Sequence, residues 1–418
     1  MNTLYAGLDF GTSNSTIGTV RNGKPALVPV EDIKVTIPSA IFFSFEEEAT
    51  FFGRKAISEY VDGAEGRLMR ALKSVLGTSL IHDTTRVKGR QMAFTEIIGV
   101  FIAHLKAQAE REMGEDISHV VMGRPVQFVD DKPDEDREAQ NQLEKAARAQ
   151  GFKHIAFQFE PIAAALDYEQ QVKEEQLAFI VDIGGGTSDF SIVRVSPERA
   201  KAIDRKDDIL ANEGVHIGGT DFDRLFSMAK VMPFFGKGSK SREKGHELPA
   251  GYYHDLATWQ RINWLYTKKT MINLRQIRYE AAQPELVDRL IAIIESRQGH
   301  ALAGKVEEAK ILLTEKDATE INLHVLDGHI NVPVTRGEFE DAIAGAVERV
   351  TNTVTKTLNQ ANLRPDQVQA LFLTGGSTQI PFVKQSILNM FPTANVVEGD
   401  MFGSVGLGLT LDAKRKFG

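Results

Sequence analysis

The stretch GLDFGTSNSTIGTV, residues 7–20, consists of two apolar runs that flank a turn of glycine and hydroxyl residues. The stretch IVDIGGGTSDFSIV, residues 180–193, repeats this layout, and Asp9 and Asp182 occupy matching positions at the end of the first apolar run. Because each run is short and each turn is rich in glycine, both stretches predict a strand, a tight turn and a second strand. The chain therefore carries the same predicted hairpin twice.

The spacing of the two hairpins predicts an α/β fold with two related lobes, each a mixed sheet with flanking helices. A third apolar run, residues 370–373, predicts a strand that ends in the turn Thr-Gly-Gly-Ser. We place the first lobe at residues 1–176 and the second at residues 177–418. Apolar positions at helical spacing in residues 285–314 predict that a helical cap, about residues 218–335, covers the second lobe.

The composition is that of an ordinary globular protein, with 418 residues of which 42% are hydrophobic and 25% charged. The 57 acidic and 49 basic residues give a net charge of −8, which disfavours nucleic acid and anionic membranes as partners. The chain has no cysteine, which excludes disulfides, thiolate nucleophiles and cysteine-based metal sites. The N-terminus lacks a signal-peptide pattern, and the most apolar stretch, residues 97–103, is far shorter than a membrane span, so we expect a cytoplasmic protein.

The glycine-rich turns have the composition of anion-binding loops. Gly11 and residues 184–186 let backbone N–H groups approach a phosphate closely, because glycine has no Cβ. Hydroxyl donors stand at Thr12, Ser13 and Thr187. Carboxylates repel phosphate, so Asp9, Asp182 and Asp189 are predicted to hold Mg²⁺ through its waters. Each turn alone also fits an ordinary hairpin, but two matched turns and a third Gly-Gly-Ser turn favour a metal–nucleotide site.

In their order and local context, the three turns resemble the actin-like ATPase superfamily, and specifically the nucleotide-binding domain of the seventy-kilodalton heat-shock chaperones (DnaK-like). The resemblance covers residues 1 to about 410. It implies a two-lobed actin-like ATPase fold that binds ATP or ADP with Mg²⁺ in the central cleft, and no other metal.

The resemblance also implies roles for individual residues. GLDFGTSNS implies that the β- and γ-phosphates are bound by Gly11, Thr12, Ser13 and Asn14, with Asp9 facing the metal. VDIGGGTSD implies phosphate and metal contacts by Asp182, Gly184, Gly185, Gly186, Thr187 and Asp189. VHIGGTDFD implies nucleotide contacts by Gly218 and Gly219 at the start of the cap, and the adenosine motif, residues 374–381, implies nucleoside contacts by Gly375, Gly376 and Ser377. Asp400 is also assigned to nucleotide binding. The catalytic residues implied in this way are Lys73, Glu160, Asp182 and Thr187.

Two of these catalytic assignments depend on short contexts. FEPIAAAL resembles the family's connecting motif, in which the glutamate, here Glu160, organises metal-bound and attacking water. Lys73 stands in RALKSVLG on an apparent helix, where a solvated lysine is the ordinary interpretation. The family has a lysine in this context whose ammonium reaches the γ-phosphate, which implies the same role for Lys73. Arg70, one turn earlier, is the competing cation.

The helix through VEEAKILLT carries Glu307, Lys310 and Thr314 on one face. Glu307 and Lys310 fit an exposed ion pair, and all three residues also resemble the family's adenosine clamp. Ile311 and Gln379 replace two arginines of the family pattern. Since planar cations stack on a base, their loss is expected to weaken adenine binding or to relax base selectivity.

Family chaperones continue into a linker, a peptide-clamping β-sandwich and a lid, whereas this sequence stops at Gly418. The first hypothesis is therefore a slow ATPase of the chaperone type, a nucleotide-driven switch without its own peptide clamp that acts through a protein partner or co-chaperone on its lobes. The irregular residues 236–251 predict a mobile loop, and the aromatic residues around it favour packing under the loop over a partner site. If a folded partner binds the lobes, residues 234–264 are the expected place. The alternatives are an actin-like polymerising scaffold and, less favoured, a small-molecule kinase.

Overall fold

The computed structural model describes residues 4–87, 89–129, 132–169, 171–243, 245–323, 330–397 and 403–418. The strands are β1 (Tyr5–Phe10), β2 (Asn14–Arg21), β3 (Lys24–Leu27), β4 (Ile37–Pro38), β5 (Ala40–Ser44), β6 (Thr50–Phe52), β7 (Gly66–Arg70), β8 (Thr84–Val87), β9 (Arg90–Ala93), β10 (His119–Arg124), β11 (His154–Phe159), β12 (Gln176–Ile183), β13 (Ser188–Val195), β14 (Ile209–Val215), β15 (Ala318–Asn322), β16 (Asn331–Thr335), β17 (Ala370–Thr374) and β18 (Asn395–Val397). The helices are α1 (Gly53–Val61), α2 (Phe94–Met113), α3 (Pro133–Arg148), α4 (Glu160–Glu169), α5 (Gly219–Lys230), α6 (Gly251–Ala257), α7 (Lys268–Glu280), α8 (Pro284–Glu295), α9 (Gly299–Glu315), α10 (Arg336–Gln360), α11 (Pro381–Leu388) and α12 (Ser404–Phe417).

Two large sheets have the same connectivity. The first has the strand order β11-β10-β1-β2-β3, with β4 added beside β2, and the second has the order β14-β13-β12-β17-β18. In each sheet an antiparallel meander of three strands comes first. A later strand then pairs in parallel with the first strand of the meander, and the last strand pairs in parallel with that added strand. The first hairpins of the two sheets, β1-β2 and β12-β13, are the repeated stretches of the sequence. The predicted α/β fold with a mixed sheet in each of two lobes is confirmed.

Each lobe carries an addition next to its large sheet. In the first lobe, β6, β5 and β7 form a small antiparallel sheet on which α1 packs, with Ala40, Phe42 and Ala56 in the core. In the second lobe, the helical cap continues the sheet's own hydrophobic core, which runs from Phe179 on β12 to Phe226 on α5. The cap is therefore attached to the second sheet through a shared core.

The last helix packs on the opposite lobe from the one that the sequence predicted. Leu409 and Ala413 on α12 pack against Val121 on β10, in the first sheet. The assignment of all of residues 177–418 to the second lobe is therefore wrong for α12. An apolar helix pattern shows which face is buried, but it does not show which sheet buries that face.

Helices α4 and α12 cross between the two sheets. Ile162 and Leu166 on α4 pack with residues of the second sheet, whereas α12 packs on the first. At the crossing the backbones touch: a Cβ on Gly408 would lie 1.8 Å from the carbonyl oxygen of Ala163. The pair of helices therefore connects the lobes through close backbone contact.

The irregular stretch at residues 236–251 is held by contacts, contrary to the expectation of a mobile loop. Its described residues form bridges between Lys240 and Glu247 and between Ser241 and Ala281. Leu248 is buried in a small cluster with Ala281 and Val287. A buried leucine and backbone pairing fix a segment that has no regular periodicity.

Across the described part of the chain, helices that combine the length and apolar character of a membrane span are absent.

Candidate functional site

The carboxylates of the two hairpins meet at the edges where the hairpin turns begin. Asp182 on β12 pairs in register with Asp189 on β13 and, on its other side, with Thr374 on β17. Asp9 is the last residue but one of the matching strand of the first sheet and pairs in register with Thr16. The strand registers therefore bring the second and third turns together, and Asp9 interacts electrostatically with Asp182 across the gap between the lobes.

Burial and like charge disfavour ionisation of these carboxyl groups. Burial raises the pKa of Asp9 to about 7, and Glu160 and Asp182 reinforce the shift while Lys73 opposes it. Burial also raises the pKa of Asp182 to about 7, with Asp189 and Glu160 as the neighbouring charges that add to it. Such crowding indicates a site with too much negative charge for its own cations.

The positive charge closest to this cluster is Lys73. Its ammonium contacts the Glu160 carboxylate at 2.5 Å, and the lysine side chain is only 8% exposed. Burial works against its charge, but Glu160 and Asp9 outweigh that effect and raise the pKa of Lys73. Lys73 is thus a buried, charged group of the site and not a solvated surface lysine.

The segment that carries Lys73 differs from the prediction. It is a single 3₁₀ turn, Leu72–Val75, after β7, and not a regular helix. Arg70 therefore does not lie one helical turn before Lys73. It ends β7, and its guanidinium lies 4.8 Å from the ring centroid of Trp259 in the cap. Lys73 points to Glu160 and the hairpin carboxylates, whereas Arg70 points to Trp259 in the cap. Of the two cations, Lys73 is the one in direct contact with the carboxylate cluster.

The two glycine-rich loops touch each other. The Gly185 N–H donates to the Ser13 hydroxyl oxygen at 3.0 Å. A Cβ on Gly185 would lie 2.5 Å from the same oxygen, so glycine permits this approach. The first loop is braced from behind, since the Ser39 hydroxyl donates to the Gly11 carbonyl at 2.6 Å. One loop from each lobe therefore forms the floor of the gap.

The start of the cap is tied to the second loop. The N–H groups of Gly219 and Thr220 donate to the carbonyls of Gly184 and Gly185 at 2.9 Å and 2.8 Å. A Cβ on Gly218 would lie 2.5 Å from the carbonyl carbon of Gly185, so the two glycine turns pack backbone to backbone. The orientation of α5 is thus set by the second loop.

The third glycine-rich turn, which follows β17, also contacts the second loop. The Ser377 hydroxyl donates to the Gly184 carbonyl at 3.3 Å. Gly375 has a φ of +81°, and a Cβ there would lie 2.3 Å from the carbonyl oxygen of Ile183. Both the left-handed backbone and the close approach require glycine. Gly376 opens the 3₁₀ turn that follows.

The helix α9 contributes Lys310 to this end of the site. Its ammonium pairs with Asp223 at 2.9 Å and lies near the Gly219 carbonyl at 3.4 Å. The alternative of an exposed ion pair between Lys310 and Glu307 is therefore wrong, because Lys310 turns inward. Burial raises the pKa of Asp223 to about 6 although Lys310 opposes the shift. Thr314 donates its hydroxyl to the Ile311 carbonyl of its own helix.

The structure brings together most of the residues that the sequence singled out. In the second hairpin, Thr187 donates to Asp189 at 3.1 Å, and its carbonyl accepts from the Gly184 N–H at 2.9 Å. Asn14 begins β2 and pairs in register with Pro38. Gly186 flanks the turn next to Gly218. Glu307 and Ile311 are exposed on α9, and Asp400 lies outside the described residues.

Sequence reasoning assigned no role to Ser39, Thr220 or Thr374, which support the loops from their sides, although Thr374 begins the adenosine motif. Ser39 belongs to no motif, so no local signal could have found it. Thr220 stands directly after Gly218 and Gly219, and a hydroxyl after two glycines was the available signal.

The donor set fits a hard divalent cation held through water. Among the described residues, histidine, aspartate and glutamate form no group of three or more that is ready to bind a metal directly. Asp9, Asp182 and Asp189 nevertheless offer oxygen ligands at one place. Burial, reinforced by neighbouring carboxylates, raises the pKa of Asp9 and Asp182, so a bound cation would favour their ionised forms. Oxygen ligands with retained water suit Mg²⁺ beside phosphates.

A comparison with protein families gives an independent result. A family model described as Hsp70 protein matches residues 5–240 and 291–406. The matched residues contain all three glycine-rich turns, Lys73 and Glu160. The match is interrupted at residues 241–290, which hold α6, α7 and the first half of α8.

Proposed function

We propose, from the premise that this chain belongs to the Hsp70 family, that it is a slow, Mg²⁺-dependent ATPase whose lobes move with the state of the bound nucleotide. Family membership supports an ATP-binding, chaperone-type ATPase. The observation that carries the finer proposal is the contact between Gly185 and Ser13, beside the buried Lys73–Glu160 pair. A glycine-rich loop of each lobe therefore lies near one cation and several carboxylates, and this arrangement supports the proposal.

In this proposal the loops bind the phosphates through backbone N–H groups and hydroxyls, which hold the substrate in line for attack. Asp9, Asp182 and Asp189 would hold Mg²⁺ through its waters, and the metal supplies neutralisation of phosphate charge. Lys73 adds a positive charge where negative charge develops on the transferred phosphoryl group. Glu160 orients the attacking water and accepts its proton.

The contact with Glu160 also keeps Lys73 positively charged in the site before nucleotide binds. Glu160 and Asp9 outweigh the effect of burial and raise the pKa of Lys73, so its buried ammonium stays charged beside Glu160 before nucleotide binds. A positive charge is therefore in place before attack, which suits catalysis by positioning and charge stabilisation.

The switch follows from the way the lobes are joined. The second loop binds the first loop through Ser13, the cap through Gly219 and the third turn through Ser377. A phosphate bound between the loops would pull on all three, and α4 and α12 supply the crossing about which the lobes turn. This is a domain closure around a ligand.

Lys73→Ala tests the proposal. We expect nucleotide affinity, measured by calorimetry with Mg²⁺, to change only a few-fold and single-turnover hydrolysis to fall at least tenfold. A loss of about 2 kcal/mol or more of transition-state stabilisation is typical for such a contact. Lys55→Ala, which removes a lysine from an exposed ion pair on α1, is the matched control. Normal hydrolysis by Lys73→Ala together with a defect in Arg70→Ala would transfer the role to Arg70.

We also propose that these residues act through a partner on the lobe surfaces and carry no peptide clamp of their own. The described strands all belong to the sheets and hairpins of the two lobes. We therefore expect no binding of a labelled apolar heptapeptide that ATP releases, measured by fluorescence anisotropy. Micromolar binding that ATP reverses would contradict this and place a peptide site within the lobes.

A further inference from the structure

The cap carries an open cavity of about 450 Å³ at the start of α7, which we call the cap pocket. Its apolar wall is formed by Met271 and Ile272 on α7 and by Ile294 on α8. Ile272 is 67% exposed, so a large apolar side chain faces solvent within a concave surface. Most of the lining residues belong to residues 241–290, the segment that the family match does not include.

The rim of the cap pocket is basic. Lys268, Arg275 and Arg297 line it together with the carboxylate of Glu295. Arg275 pairs with Glu295 at 3.2 Å, and the Arg297 guanidinium lies 5.9 Å from the ring centroid of Tyr266. Among the described lining residues, three cations and one carboxylate leave an excess of two positive charges. The cap pocket therefore combines an apolar wall with a positively charged rim.

The chain contains a segment of the complementary kind in the turn between β5 and β6, residues 45–48, which we call the acidic turn. Its sequence is Phe-Glu-Glu-Glu. Phe45 is 48% exposed, and the three glutamates beside it are exposed as well. A large apolar side chain next to carboxylates is the chemistry that the apolar wall and the basic rim would bind.

Backbone hydrogen bonds hold the acidic turn in shape. The Ser44 N–H donates to the Ala49 carbonyl at 3.0 Å, and the Phe45 N–H donates to the Glu65 carbonyl at 2.8 Å. The Glu47 N–H donates to the Ser44 hydroxyl at 3.1 Å. Because the turn is already ordered, little conformational entropy is lost when it binds.

Within one molecule, the acidic turn lies at the end of the small sheet that is away from the cap contact. Strand β5 runs from Ala40, paired with Arg70, to Ser44, paired with Gly66. Arg70 is the residue of this sheet that contacts Trp259 in the cap. At about 3.4 Å per residue, Ser44 is about 14 Å further along the strand. The acidic turn is therefore available to the cap pocket of a second molecule.

We propose that two copies of this chain form a two-fold dimer in which the acidic turn of each copy binds in the cap pocket of the other. Phe45 packs against the apolar wall, and Glu46 and Glu47 face the cations Lys268 and Arg297. A two-fold axis forms this contact twice and closes the assembly, which is the commonest symmetry of protein oligomers. The dimer does not depend on the proposed nucleotide site.

The first test is sedimentation velocity of the unmodified chain from low to high micromolar concentration. We expect a reversible equilibrium between monomer and dimer. Its dissociation constant should rise at least tenfold between about 50 mM and about 500 mM NaCl, because salt screens charges at a solvent-accessible rim. A monomer under all conditions, or an assembly that grows beyond two copies, would overturn the proposal. If the chain stays monomeric but binds a labelled peptide of residues 43–50, the cap pocket takes an acidic segment of another protein and the dimer is wrong.

The second test reverses the charges of the two surfaces separately. One variant carries Glu46→Lys with Glu47→Lys, and the other carries Lys268→Glu with Arg297→Glu. Each variant alone should be monomeric at concentrations at which the unmodified chain is dimeric. An equimolar mixture should form a heterodimer, because both contacts then join opposite charges again. This recovery also shows that both variants are folded, and a mixture that stays monomeric would contradict the proposal.

The third test concerns the apolar part of the contact. Phe45→Ser should raise the dissociation constant of the dimer at least tenfold, because it removes the side chain that packs on the apolar wall. The matched control is Ile203→Ser between β13 and β14, since Ile203 is 75% exposed and lies in the second lobe outside the cap. Its dissociation constant should stay within twofold of the unmodified chain. Equal effects of the two substitutions would refute the assignment of Phe45 to the contact.

Discussion

Replacing Gly408 by alanine should destabilise the whole molecule, because this glycine lies where α12 crosses α4. A Cβ at this position would lie 1.8 Å from the Ala163 carbonyl oxygen and 3.0 Å from the Ala163 Cα. Real Cβ atoms essentially never approach another heavy atom closer than 3.0 Å, so the helices must separate by roughly 1.2 Å or more. Neither clashing group can rotate away, since both belong to the backbone.

The cost follows from what the separation does to the buried faces. Moving α12 outward opens space around Leu409, Ala413 and Val121, which are fully buried. Overpacking costs about 1 to 3 kcal/mol, and we expect the upper end of this range, about 3 kcal/mol, because backbone clashes relax poorly. Opening the crossing should also weaken Mg²⁺-dependent nucleotide binding, since the two helices connect the lobes.

The matched control is Gly345→Ala on α10. Gly345 lies inside a helix, and a Cβ there would meet nothing within 4 Å. Alanine is the better helix former, so this variant should gain about 0.5 to 1 kcal/mol. Urea unfolding followed by far-UV circular dichroism gives both values. If Gly408→Ala unfolds within about 0.5 kcal/mol of the unmodified chain, the helices do not depend on close contact at Gly408 and the hinge assignment fails.

Two further outcomes are expected. Gly185→Val should abolish Mg²⁺-dependent ATP binding in calorimetry while the chain stays folded, because its side chain would displace the Ser13 hydroxyl that lies 2.5 Å from the Cβ position; unchanged affinity would show that the two loops do not bind phosphate together. His300 should make stability fall with acid: burial, helped by Arg70, lowers its pKa to about 4. The unfolded chain, with a histidine pKa of about 6.5, therefore binds the proton first, and the contribution present above pH 6.5 is lost between pH 6.5 and 4. Between neutral pH and pH 4.5, the free energy of unfolding of the unmodified chain should fall by about 2 kcal/mol more than that of His300→Gln, as measured by urea unfolding. Equal falls would refute the lowered pKa of His300.

The sequence determined the hairpins and their chemistry because these are local. Apolar runs, glycine turns and the carboxylates beside them occupy neighbouring positions, so period and composition show them directly. The strands β1, β2, β12, β13 and β17 stand where the pattern predicted, and the β12 register then places Asp182 beside Asp189 and Thr374. The family resemblance added Lys73 and Glu160, whose contexts are too short to identify them alone.

Tertiary structure decided everything that joins distant parts of the chain. The pattern of α12 showed a buried face, but its packing on the first sheet depends on a crossing with Ala163, far earlier in the sequence. Lys310 could pair with Glu307 by spacing alone, and it pairs with Asp223 because burial beside Gly219 favours the inward carboxylate. The contact of Arg70 with Trp259 has no local signal at all. Such contacts depend on how the lobes pack, and side-chain periodicity carries no information about which surfaces meet.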